Sequence, residues 1–113
     1  MTDTPLWSAL ITGDGGVHTV TLTGELDLVA ADELRQMLVA QLDRPGATGV
    51  IANLAGVTFL DSGALGALIV AYRHAEDNDR RFALAEPARP VRRVLEIGGV
   101  YEILVGDGAE APS

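Results

Sequence analysis

Apolar side chains recur at two different periods along the chain, and these periods predict its helices and strands. Two segments have apolar side chains three and four residues apart, the spacing of a helix with one buried face. They run from about Ala30 to Leu42 and from Asp61-Ser62 to about Asn78. A shorter helix is expected to have Pro90 in its first turn and to end at Gly98-Gly99. Runs rich in Val, Thr, Ile and Leu predict five strands: Leu6–Ile11, Val17–Thr23, Val50–Leu54, Arg81–Ala85 and Tyr101–Val105.

The predicted order of elements is β-β-α-β-α-β-α-β, which indicates an α/β (α+β) fold with a small mixed sheet. The turn residues Thr12–Gly16 suggest that the first two strands form an antiparallel hairpin. Later strands are separated by helices, and such crossover connections join parallel strands. Ala55-Gly56-Val57 is expected to turn the chain after the third strand. We expect one domain over residues 1–105 and a disordered tail over residues 106–113.

Composition narrows the classes of partner and chemistry. The 113 residues include 16 acidic and 8 basic side chains, which gives a net charge of −8. This charge disfavours nucleic acid and anionic membranes as partners, and it favours a partner protein with a basic surface. The chain has no Cys, which excludes disulfides and Cys-ligated zinc, and all its basic residues are Arg, which excludes a P-loop Lys or a Schiff base. No apolar run is long enough to span a membrane and Met1–Trp7 does not resemble a signal peptide, so we expect a cytoplasmic protein.

The segment around Asp61-Ser62-Gly63 is the principal candidate site. A short polar side chain at a helix start can accept hydrogen bonds from the first backbone N–H groups, so Ser62 could serve only as an N-cap. Alternatively it could be a protein-kinase acceptor, because a phosphate at a helix start meets free N–H groups and the positive end of the dipole. Downstream, small residues form a second face of the same helix, which permits either close helix packing or a shallow ledge for a partner: Ala64, Ala67 and Ala71.

Catalysis by Ser62 is not expected. The nucleophile elbow G-x-S-x-G is absent, because Leu60 and Ala64 occupy the glycine positions. A nucleophilic serine also needs a neighbouring base, and the only histidines are His18 and His74. His74 lies twelve positions further along the same predicted helix, which is about 18 Å. We therefore predict no enzymatic activity, and the acidic residues show no spacing that indicates a metal site or a bound cofactor.

Three segments resemble the STAS-domain proteins of the bacterial anti-sigma factor antagonist type. Residues Thr23–Asp27 resemble the family's TGELD motif, and Phe59–Gly66 resemble its (F/L)(I/M/L)DSSGLG segment. Val91–Gly99 resemble its closing V-x-R-x-L-x-x-x-G helix. The resemblance extends from about Leu6 to Val105 and implies a STAS-like fold.

The resemblance also implies a partner-switching mechanism. In such a mechanism the antagonist binds a serine-kinase anti-sigma factor of the ATPase type, is phosphorylated at the serine that corresponds to Ser62, and is restored by a cognate phosphatase. The residues then expected to contact the partner are Asp27, Asp61, Ser62, Gly63, Ala64 and Ala67. Gly63-Ala64 stand where the family often has Ser-Gly.

We expect a monomer, or at most a weak dimer. The alternative is a non-phosphorylated STAS accessory subunit of a stress-sensing or lipid-transport complex, which would use the alanine ledge only for docking.

Overall fold

The computed structural model describes residues 6–106, which form a four-stranded mixed sheet with helices. The elements follow in the order β1 Trp7–Asp14, β2 Val17–Leu26, α1 Leu28–Leu42, β3 Gly49–Leu60, α2 Ser62–Asp77, β4 Arg81–Ala85 and α3 Arg89–Ile97, before a π-helical segment Glu102–Gly106. The strands are arranged in the spatial order β1-β2-β3-β4. Strand β1 is antiparallel to β2, whereas β2, β3 and β4 are mutually parallel. The mixed α/β fold and the order of elements from β1 to α3 are thus as predicted.

Helices α1 and α2 pack against each other on one face of the sheet. Alternate residues of the three parallel strands are buried against these helices, as the two-residue period of a strand requires. The strand residues on this face are Val20, Leu22, Val50, Ala52, Leu54, Phe82 and Leu84. Leu34, Leu38 and Leu42 of α1 and Leu68 of α2 complete the core from the helical side. No charged or polar residue among the described residues is buried, so the core is held by apolar packing.

The prediction of a last strand at Tyr101–Val105 is wrong. This part of the chain is helical, and the backbone N–H of Leu104 donates to the carbonyl of Val100 at 3.0 Å. Leu104 and Val105 are neighbours in sequence and both are buried, which the alternating faces of a strand would not allow. A short apolar run is compatible with either structure, so its pattern did not distinguish them. The predicted tail began at residue 106, but Gly106 ends the π-helical segment and residues 107–113 lie outside the described residues.

Other predicted boundaries also differ from the structure. Strands β1 and β2 continue to Asp14 and Leu26, each three residues beyond its predicted end. Helix α1 begins at Leu28 rather than at about Ala30. Strand β3 continues to Leu60, so Ala55-Gly56-Val57 is not a turn. Instead the pairing between β2 and β3 shifts register near Gly56, which lies opposite Thr23. A Cβ at Gly56 would lie 2.7 Å from Thr23 Cγ2, so glycine permits the close approach of the strands at this irregularity.

Candidate functional site

Helices α1 and α2 begin side by side at the carboxyl ends of the two central strands, β2 and β3. Leu26 and Leu60 are register partners at the ends of the parallel strands β2 and β3. Each is followed at once by an aspartate, Asp27 or Asp61, and then by the first turn of a helix. The parallel pairing of the two strands therefore brings the two aspartates and the two helix N-termini together.

Both aspartates cap their own helices. Oδ1 of Asp27 accepts hydrogen bonds from the backbone N–H groups of Val29 at 3.0 Å and Ala30 at 3.2 Å. Oδ1 of Asp61 accepts from the N–H of Ala64 at 3.0 Å. These bonds satisfy N–H groups that have no partner within the helix. The cap at Asp27 explains why α1 starts two residues earlier than its apolar period suggested.

Asp61 also connects the two helices. Its second carboxylate oxygen, Oδ2, accepts a hydrogen bond from the backbone N–H of Leu28 at 2.9 Å. One side chain thus binds the first N–H of α1 and an N–H in the first turn of α2. The backbone N–H of Asp61 in turn donates to the carbonyl of Leu26 at 3.2 Å. Asp61 is therefore held at both its backbone and its side chain, and it fixes the relative position of the two helix starts.

Ser62 is the first residue of α2 and is exposed. The N-cap is Asp61, so the interpretation of Ser62 as the capping residue is wrong. Within residues 6–106 the Ser62 hydroxyl has no hydrogen-bond partner. The capping role is filled by its neighbour, and the hydroxyl is left accessible at the helix start.

Gly63 lies directly against Leu28 of α1. A Cβ at position 63 would lie 2.6 Å from Leu28 Cδ1 and 3.1 Å from Leu28 Cα. Leu28 itself is 71% exposed and Val29 is 88% exposed. The surface beside Ser62 is therefore aliphatic, with Leu28 lying over the glycine where the family motif often has a serine.

An open groove of about 260 Å³ runs between the two helices, beside Gly63. We call it the α1–α2 groove. Its lining consists of Ala31, Asp32 and Arg35 from α1 and Gly63, Gly66, Ala67 and Val70 from α2. Within the groove Arg35 Nη2 donates to Asp32 Oδ1 at 2.7 Å, so the charges of these two residues neutralise each other locally. The remaining lining is small and aliphatic.

The structure separates the predicted partner-contacting residues into four groups: exposed, groove-lining, helix-capping and buried. Ser62 is exposed, Gly63 and Ala67 line the α1–α2 groove, and Asp27 and Asp61 are helix caps. Ala64, Ala67 and Ala71 are all buried, with 0%, 5% and 0% of each exposed. The small-residue face of α2 therefore serves close packing at all three positions, and the alternative of an exposed ledge is wrong.

Leu28, Val29, Arg35 and Val70 were not anticipated as part of the site. A signal for the first two was present, since two aliphatic residues directly after a capping Asp27 lie outside the buried stripe of α1. Nothing in the local pattern indicated that α2 would lie beside them.

Neither histidine of the described residues belongs to the start of α2, where Ser62 lies. His74 lies in the last turn of α2, far along the helix from Ser62. Its Nε2 is 2.7 Å from Oδ1 of Asp43, the C-cap residue of α1. Residues 6–106 contain no group of three or more His, Asp or Glu side chains placed to hold a metal ion. In the same range, no helix has the length and apolar character needed to cross a bilayer.

Comparisons with known proteins connect this geometry to a family. Residues 8–109 match the family model of the STAS domain. An anti-sigma F factor antagonist of Paenibacillus polymyxa is 28% identical over 89 residues, covering 79% of this chain and 76% of the relative. An anti-sigma-B factor antagonist of Staphylococcus epidermidis is 29% identical over 94 residues, covering 82% and 86%.

Solved structures show the same fold. An anti-sigma factor antagonist from Mycobacterium paratuberculosis superposes with a TM-score of 0.73 at 26% identity, covering 87% of this chain and 82% of the other. The antagonist SpoIIAA in its unphosphorylated form gives a TM-score of 0.73 at 24% identity, with 83% of each chain covered. SpoIIAA from Bacillus in its phosphorylated form gives 0.69 at 22% identity, covering 87% and 88%.

Proposed function

The chain belongs to the STAS domain family, and we propose that it is an anti-sigma factor antagonist switched by phosphorylation of Ser62. In this proposal it binds an anti-sigma factor that is also an ATP-dependent serine kinase. The kinase transfers phosphate to Ser62, binding is lost, and a phosphatase restores the unmodified protein. The relatives in two bacterial genera are named for antagonism of anti-sigma factors. The family members matched are regulators rather than enzymes, in agreement with the prediction of no enzymatic activity.

The observation that carries this proposal is the free, exposed hydroxyl of Ser62 at the start of α2. A serine that capped the helix would have its oxygen engaged and would cost helix stability when modified. Here Asp61 accepts the N–H of Ala64, so the serine oxygen is available to a kinase. SpoIIAA from Bacillus has been solved in a phosphorylated form, so the fold accommodates phosphorylation in that protein.

The docking surface in this proposal is the α1–α2 groove together with Leu28 and Val29. Both side chains are largely exposed, and Leu28 lies against Gly63, the residue that follows Ser62. Burial of apolar surface of this kind contributes to protein association at about 25 cal/mol per Å² before the costs of association are counted. The net charge of −8 would favour a partner with a basic surface around this contact.

A phosphate at Ser62 would act through desolvation. Phosphorylation adds about −1.5 to −2 charges at neutral pH. Docking would remove water from those charges, and a buried charge without a partner costs several kcal/mol. Since about 1.4 kcal/mol corresponds to a tenfold change in affinity, the complex should weaken by orders of magnitude.

The test uses serine-kinase anti-sigma factors encoded by the source organism. The protein is incubated with each kinase and ATP, and the phosphorylated residue is located by mass spectrometry. We expect phosphate on Ser62 with one of the kinases and none in the Ser62→Ala variant. Ser8→Ala is a matched control, because Ser8 is also exposed but lies in β1 and is hydrogen-bonded to Thr23.

Calorimetry with the same kinase tests the switch itself. Ser62→Ala should bind as wild type does and act as a constitutive antagonist. Ser62→Asp should bind at least tenfold more weakly, because a carboxylate supplies about half the charge of a phosphate. Equal affinity of wild type and Ser62→Asp would rule out an electrostatic switch.

The rival proposal is a STAS accessory subunit that docks without phosphorylation. The α1–α2 groove supports it, because a groove lined by small residues can receive a partner whether or not Ser62 is modified. Absence of Ser62 phosphate with every such kinase of the source organism would favour this role over the switch.

A further inference from the structure

Strand β1 forms one edge of the sheet, and within residues 6–106 its only neighbouring strand is β2. Every residue of β1 after Trp7 is exposed. In an edge strand, alternate residues direct their backbone N–H and C=O groups away from the sheet, where they can pair with another strand.

Strand β1 lacks the features that usually prevent such pairing. No charged residue or proline occurs from Leu6 to Gly13, although the whole chain carries a net charge of −8. The ladder to β2 runs from Trp7 opposite Gly24 to Asp14 opposite Val17 without a bulge. Leu10 is 66% exposed and its neighbour Ile11 is also exposed, so both faces of the strand present an aliphatic side chain. Charges, prolines and bulges are the common means of protecting edges, and β1 has none of them before Asp14.

The opposite edge of the sheet differs. Strand β4 has only five residues, and the π-helical segment Glu102–Gly106 packs beside it. Arg81 lies in β4 itself and carries a charge at its start. Of the two edges, β1 is therefore the longer one, it carries no charge before Asp14, and β2 is its only neighbouring strand within residues 6–106.

We propose that β1 pairs with β1 of a second copy of this chain in an antiparallel arrangement. The two sheets would then form one eight-stranded sheet around a two-fold axis, in which the same surface is used by both copies. A second copy fits because the edge is self-complementary in hydrogen bonding and adds no charge to the contact. If the axis lies near Leu10, each Asp14 is opposite residue 6 of the other copy, and the two Asp14 residues are about 27 Å apart. That separation exceeds the screening length of about 8 Å at physiological salt.

The dimer is weak and concentration-dependent. Edge pairing along eight residues covers less surface than the roughly 1,200 Å² that specific stable interfaces usually bury. No residue of the α1–α2 groove belongs to β1, so pairing of β1 leaves Ser62 and the groove accessible. Dimerisation is therefore independent of the proposed phosphorylation, and Ser62→Asp should dimerise as wild type does.

Sedimentation velocity over a range of protein concentrations up to about 1 mM tests the proposal, with Leu10→Lys as the disrupting variant. A lysine on an edge strand opposes pairing, and the two-fold arrangement would bring two of them together. We expect the dimer dissociation constant to rise at least tenfold. Ile97→Lys is the matched control, because Ile97 is 79% exposed and the substitution changes the net charge equally on α3. It should dimerise as wild type does.

Amide NMR spectra at low and high concentration locate the interface. As the dimer forms, the amide chemical shifts of alternate residues of β1 should change, and the hydrogen exchange of these amides should become slower. A wild-type protein that stays monomeric at 1 mM would overturn the proposal. So would a dimer that Leu10→Lys does not weaken, or concentration-dependent shifts confined to other elements.

Discussion

At the scale of single residues, Asp61 is the structural centre of the site. Its two carboxylate oxygens accept hydrogen bonds from N–H groups of two different helices, at Leu28 and Ala64. Asp27, one strand away, accepts only from the helix that it begins. The two aspartates look equivalent in the sequence, since each follows a strand and precedes a helix, but they have different reach in the structure.

Replacing Asp61 should therefore loosen two helix starts, whereas replacing Asp27 should loosen one. Loss of an N-cap costs about 0.5–2 kcal/mol of the free energy of unfolding, and we expect Asp61→Ala and Asp27→Ala each to fall in this range. Native-state hydrogen exchange distinguishes them. Asp61→Ala should speed exchange of the amides of both Ala64 and Leu28, and Asp27→Ala should leave Ala64 unchanged. Unaltered exchange at Leu28 in Asp61→Ala would show that the bond between the helices has no energetic weight.

At the scale of elements, the contact between α1 and α2 is set by Gly63. Glycine at this position lets Leu28 lie against the backbone of α2. Gly66, one turn later in the same helix, has no heavy atom within 4 Å of where its Cβ would be. The two glycines therefore have different physical roles although both line the α1–α2 groove.

Substitution by alanine should have opposite effects at these two glycines. Gly63→Ala should destabilise the protein by about 1–3 kcal/mol, because the added methyl group overpacks against Leu28. Gly66→Ala should stabilise it by up to about 1 kcal/mol, because alanine has the higher helix propensity and open space is available. Urea unfolding of the two variants measures both changes, and the same sign for both would contradict the assignment.

The Leu28→Ala background separates steric overlap from other effects at Gly63. Removing Leu28 Cδ1 should relieve part of the cost of Gly63→Ala, with a coupling of at least about 0.5 kcal/mol. Relief should be incomplete, because the Cα and Cβ of Leu28 would still lie 3.1 and 3.3 Å from the new methyl group. Full additivity of the two substitutions would mean that the cost at Gly63 has another origin.

At the scale of the whole molecule, phosphorylation of Ser62 should change binding and leave the fold almost unchanged. No charged side chain among the described residues is buried, and Ser62 lies at the surface, so no core contact depends on it. The helix dipole favours a phosphate at the start of α2 by about 0.3–1 kcal/mol. Repulsion from Asp61 opposes this. Two unit charges about 5 Å apart cost about 3 kcal/mol at an effective dielectric constant of 20 and less than about 1 kcal/mol in water. Ser62 is exposed and Asp61 is half-buried, so water around the phosphate keeps the repulsion toward the lower value and the net change in stability small.

Urea unfolding of the phosphorylated and unmodified proteins, with kinase affinity measured on the same samples, checks this expectation. The midpoint of unfolding should move little while affinity falls by orders of magnitude. A large shift of the midpoint, or loss of the first turn of α2 by NMR, would mean that phosphorylation acts by unfolding.

The sequence by itself determined those features that depend on neighbours along the chain. The 3.6-residue apolar period located α1 and α2, and the bounds of β4 were predicted as the structure has them. Asp61 and Ser62 were placed at a helix start because short polar residues precede an apolar helical period there. The same local signals failed where they were ambiguous, as in Tyr101–Val105, whose short apolar run suits a strand or a buried helical segment equally.

Only the tertiary structure decided which of those local features meet. The hydrogen bond between Leu28 and Asp61 joins residues 33 positions apart. The fit of Leu28 over Gly63 likewise depends on the parallel pairing of β2 with β3. The division of labour between Asp61, which caps, and Ser62, which stays free, was undecided in the sequence because both side chains can accept the same N–H groups. The local sequence shows which hydrogen bonds each of these side chains could form. The packing of α1 against α2 determines which of those bonds is formed.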